Sequence, residues 1–70
     1  MKFVLLHDKN GDSVLIAVDR IFCVESEKYG NESVTEVSAA PYDKYGEVVF
    51  HIKETVEEVY RLILEAQRGQ

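Results

Sequence analysis

Glu47-Val48-Val49-Phe50-His51-Ile52-Lys53-Glu54-Thr55-Val56-Glu57-Glu58-Val59-Tyr60 is the stretch in which the chain changes its period. Over its first six residues Val48, Phe50 and Ile52 alternate with Glu47, Val49 and His51, the two-residue repeat of a strand with one covered face. From Thr55 the repeat lengthens. Val56, Val59, Tyr60, Ile63 and Ala66 recur at helical spacing, with Leu62 and Leu64 widening the stripe, so a helix over Thr55 to Gln67 follows the strand. Thr55 and Glu58 have the spacing of a capping box, in which the Thr55 hydroxyl accepts from the Glu58 amide and the Glu58 carboxylate from the Thr55 amide. Glu57 and Glu58 in the first turn and Arg68 near the end suit the helix dipole, and Gly69 stops the helix.

The chain before residue 47 reads as strands and turns. Phe3 to His7 and Ser13 to Val18 flank Asp8-Lys9-Asn10-Gly11-Asp12, a hairpin with a turn longer than two residues, because Asn and Gly accept the positive φ of a tight turn. Asp19-Arg20 breaks the run, and Ile21 to Glu27 resumes it as a third strand that ends at the turn signal Tyr29-Gly30-Asn31. Ser33 to Ala39 sets Thr35, Val37 and Ala39 against Ser33, Glu36 and Ser38, with Val34 out of pattern, as suits a half-exposed strand. Pro41 to Gly46 is a loop. The expected fold is α+β: one domain over residues 1–70, with a small, bent, partly barrel-like antiparallel sheet of about five strands. One C-terminal amphipathic helix covers its apolar face.

Composition narrows the function. Of 70 residues, 46% are apolar and 30% charged, the balance of a folded domain. Thirteen acidic against eight basic residues give a net charge of −5, which repels nucleic-acid backbones and anionic membranes. No nucleic acid and no membrane are therefore expected as partners. The lone Cys23, inside Ile21-Phe22-Cys23-Val24, fits a core position in a reducing compartment. The apolar run at the N-terminus is too short for a signal peptide or a membrane span, so a cytoplasmic location is expected.

The residues offer little catalytic chemistry. His7 and His51 are the only histidines, each at the end or edge of a strand, and no zinc-ligand spacing accompanies them. Cys23 lies mid-strand rather than at an activating helix N-terminus, and the serines lack a nucleophile elbow. Asp8 and Asp12 flank a turn whose sixth and twelfth positions, Ser13 and Asp19, are wrong for a calcium loop. No catalytic residue, metal or cofactor is expected, and the chain reads as no enzyme.

With these pieces in order, the chain resembles the small flagellar proteins of the FlbD type, also called swarming motility proteins. The resemblance rests on the first strand, the Asn10-Gly11 turn and Val14-Leu15-Ile16-Ala17-Val18. It continues through Ile21-x-x-Val24-Glu25, Gly46 before a β run, and Ile52-Lys53-Glu54-Thr55-Val56-Glu57-Glu58-Val59. The stretch from Ser26 to Tyr45 is longer than the compact hairpin usual there, and Thr55 stands where Ser is usual. The resemblance implies a non-enzymatic accessory factor acting on a protein partner. An alternative resemblance is to the CsrA-type RNA-binding regulators, which are also short antiparallel sheets ending in a helix. That reading requires basic residues where His51 to Glu58 is acidic.

Self-association is the remaining expectation. The helix carries more apolar surface than one small sheet covers, and Val34 and Val49 fall on otherwise polar strand faces. A homodimer formed through the helix or a sheet edge accounts for both. Tyr60, Leu62 and Leu64 are the candidate interaction residues, together with Tyr42 and Tyr45. These two tyrosines could instead fold over the helix from the Pro41 to Gly46 loop.

Overall fold

The computed structural model describes residues 2–41 and 46–69. Tyr42 and Tyr45 lie outside the described residues. Five strands run in chain order, β1 (Phe3–His7), β2 (Ser13–Ala17), β3 (Ile21–Tyr29), β4 (Glu32–Ala39) and β5 (Val48–Ile52), followed by the helix α1 (Val56–Arg68). A single 3₁₀ turn, Val18–Arg20, fills the break at Asp19-Arg20. All pairings are antiparallel, and the class is α+β as expected.

The strands form two sheets rather than one, β1-β2 and β3-β4-β5. A bridge between Asp8 and Ile52 and a hydrogen bond from the Lys53 amide to the His7 carbonyl (2.8 Å) join them without closing a barrel. Each hairpin follows from its turn. Residues 8–12 close the first, where the Asp8 side chain accepts from the amides of Asn10 (2.9 Å) and Asp12 (3.0 Å). Gly11 takes a φ of 90°, which an L side chain rarely adopts. Gly30 and Asn31 alone close the second hairpin, so β3 runs on to Tyr29 and β4 starts at Glu32, longer than the sequence pattern suggested.

The core comprises Val4 and Leu6 of β1, Ile16 of β2, Val37 and Ala39 of β4, Ile52 of β5 and Val59 of α1. The two-residue alternation put Thr35, Val37 and Ala39 of β4 and Ile52 of β5 inward, with Phe50 half-buried, whereas Val48, expected on the same face, is 40% exposed. Val34 departs from expectation. It is 5% exposed, in a depression it shares with Lys9, Glu32, Ile52 and Lys53. Lys9 at the tip of the first hairpin reaches Glu32 at 4.0 Å and lines the same depression as Val34. Val49 is exposed, as its place on the polar face implies.

The helix packs against β1 and β3. Its wide apolar face is mostly covered within the chain: Val59 is buried, and Leu62 and Ile63 pack on the core. Leu62 thus points inward, and Tyr60, read as part of the inward stripe, is 64% exposed. The reason is rotational. The stripe that faces the sheets is 56, 59, 62, 63 and 66, which leaves Tyr60 and Leu64 one step round the helix. No helix is long and apolar enough to cross a membrane, among the described residues.

Candidate functional site

Three surface features gather the residues that carry chemistry or contact area. The first lies where β1 meets the segment before α1. His7 ends β1 with its backbone turned away from β2, towards Glu54. The His7 amide donates to Glu54 Oε1 (3.0 Å), and His7 Nδ1 lies 2.7 Å from Glu54 Oε2. Burial alone would push the Glu54 carboxyl up, but the hydrogen bonds from the His7 ring and amide outweigh it and hold the group below its ordinary value. The pair borders a shallow depression of about 410 Å³ shared with Lys53 and Glu58. Beside it the capping box stands as expected, with the Glu58 amide donating to Thr55 Oγ1 (3.1 Å) and the Thr55 amide to Glu58 Oε1 (2.9 Å). In chemical terms this corner fastens the end of β1 to the start of the helix.

The second feature is the outer face of β3-β4-β5. Register places Glu25 opposite Glu36 and Glu36 opposite His51. Glu36 accepts from the Tyr29 hydroxyl and pairs with His51 Nε2 at 3.0 Å, while the Tyr29 and His51 rings meet edge to face at 6.2 Å. The Tyr29 bond, aided by His51, holds the Glu36 carboxyl below the ordinary range despite some desolvation, and the same bond raises the Tyr29 hydroxyl. Carboxylate oxygens of Glu25, Glu27 and Glu36 lie within 4.8 Å of one another. Cys23 sits half-buried at the start of this face rather than in the core.

Neither cluster was apparent in the sequence. His7 and His51 looked like solvent-edge residues because their partners are 47 and 15 positions away. The available signal was Glu25, Glu27 and Tyr29 at two-residue spacing before a tight turn, which puts all three on one face of a strand.

The third feature is apolar. In the β1-β2 hairpin Leu5 lies opposite Leu15, with Phe3 one pair further along, and none of the three turns inward. They are 46% (Phe3), 50% (Leu5) and 63% (Leu15) exposed. His7, Ser13 and the buried Ala17 complete that face; none of its strand residues is acidic, and the Glu54 carboxylate reaches only its end, on the His7 ring. Of the interaction residues expected on the helix, Tyr60 and Leu64 reach solvent in a smaller patch, and Leu62 does not.

No protein-family model, no curated protein and no solved structure matches the chain.

Proposed function

We propose that this chain is a small non-enzymatic accessory module that works in the cytoplasm through protein contacts, pairing with a second copy of itself and engaging a further protein. The observation that carries this reading is the solvent face of β1-β2. A monomer rarely leaves contiguous large apolar side chains in water, and Phe3, Leu5 and Leu15 adjoin on two of the shortest strands of the fold. Copies with a net charge of −5 repel one another, and the strand residues of this face include no acidic side chain, the nearest carboxylate being Glu54, paired with the His7 ring at its end.

The resemblance to FlbD-type proteins supplies the setting, support of flagellar motility. Deleting the gene in a flagellated source is expected to shrink the swarming radius while growth rate is unchanged, and a deletion strain that swarms normally overturns the motility role. The acidic surface speaks against the RNA-binding alternative. Anisotropy titration with labelled RNA is expected to show no submicromolar binding at physiological salt, and tight, salt-sensitive binding would replace the accessory reading with that of a regulator.

A further inference from the structure

The far edge of β3 is unpaired. Among the described residues β3 bonds to β4 alone, and none of their backbone hydrogen bonds outside the strand ladders involves residues 24–29. Because Gly30 and Asn31 make a two-residue turn, Tyr29 and Glu32 form a mutually hydrogen-bonded pair. Alternation then gives the same status to Glu27 with Val34 and Glu25 with Glu36, so the backbones of Val24, Ser26 and Lys28 point away from β4. Ile21 and Val24, in the first half of β3, pack on the core and Val24 is half-buried, whereas Ser26 and Lys28 are exposed. The open edge is therefore the half of the strand nearest the turn.

Charge decides what this edge admits. Glu25 and Glu27 flank it on the outer face, and the described ion pairs of the chain involve other groups; Glu36 is already engaged by Tyr29 and His51. A second copy paired antiparallel about Ser26 would set Glu25 against Glu27 of its partner at two places, and like charges directly opposite destabilise a sheet. A strand with lysine or arginine at alternate positions meets the same two carboxylates with opposite charge. Its intervening residues would lie on the side of Val24, Ser26 and Lys28, where uncharged groups avoid the Lys28 ammonium. We propose that the outer edge of β3 takes an extended basic segment of a partner protein as an added strand, its alternate cationic side chains meeting Glu25 and Glu27. This edge is separate from the apolar face of β1-β2, so its failure would leave the accessory reading intact.

Calorimetric titration of the full chain with a terminally blocked peptide of alternating lysine and valine tests this. Saturable binding is expected, weakened about fivefold by Glu25→Gln with Glu27→Gln, because exposed ion pairs each contribute modestly. A peptide with the same charges but N-methylated at the amides facing β3 should not bind, since its donors to the edge are gone. Amide exchange adds a readout of the site: Ser26 and Lys28 are expected to become protected in the complex, while Glu25 and Glu27 are protected already in the free protein. Equal binding by the N-methylated peptide or by an alternating glutamate and valine peptide would overturn the proposal. So would Ser26 and Lys28 amides that stay unprotected at saturation.

Discussion

Glu54 joins two elements through one carboxylate, one oxygen on the His7 ring and the other on the His7 amide. Because these bonds favour the charged form, the folded chain releases this proton below the ordinary glutamate value of 4.5. The unfolded chain therefore takes up the proton first as pH falls, and the stabilisation is complete above 4.5 and lost as pH drops through the folded value. Glu36 follows the same sign. Urea unfolding of wild type and Glu54→Gln should then show a gap at neutral pH that closes on acidification below 4.5. A gap that persisted there would mean that Glu54 acts through packing instead. These partners were illegible in the sequence because no local pattern links His7 to a residue 47 positions away. Only the packing of β1 beside the segment after β5 brings them together.

At the scale of elements, the helix shows what a short pattern can specify. Thr55 and Glu58 bond reciprocally, and the helix starts at Val56. Thr55→Ala is expected to cost about 0.5–2 kcal/mol, since the Glu58 amide loses its acceptor, and the shift in urea midpoint measures it. An unchanged midpoint would place the start of the helix elsewhere. The hairpins were legible for the same reason, because each depends on a glycine-bearing turn beside it. Facing was harder. Tyr60, placed both on the inward stripe and among the interaction residues, is exposed, while Leu62, expected to reach a partner, packs on the core, because a band of seven apolar residues fits several rotations and contact with β1 and β3 selects one. Val34 misled because its surroundings include residues distant in sequence, Lys9 of the first hairpin and Ile52 and Lys53 at the end of β5. The split into two sheets likewise depends on where β1 meets β5, which no turn encodes.

The whole molecule has little stability to spare, since a core of this size supplies roughly 3–5 kcal/mol. Leu6 is fully buried in it. Leu6→Ala should cost about 2–5 kcal/mol, enough to leave much of the chain unfolded at room temperature, and circular dichroism melts against wild type test this. With so small a core, covering Phe3, Leu5 and Leu15 by a second copy gains contact area that the single chain lacks. Light scattering coupled to size exclusion, at rising protein concentration, tests most directly whether this face makes protein contacts. The wild-type chain should move from 8.0 kDa towards twice that mass, Leu15→Lys should remain monomeric and folded, and Leu64→Glu on the helix should dimerise as wild type does. A wild-type chain that stays at 8.0 kDa throughout, or a dimer indifferent to Leu15→Lys and abolished by Leu64→Glu, would contradict such contacts.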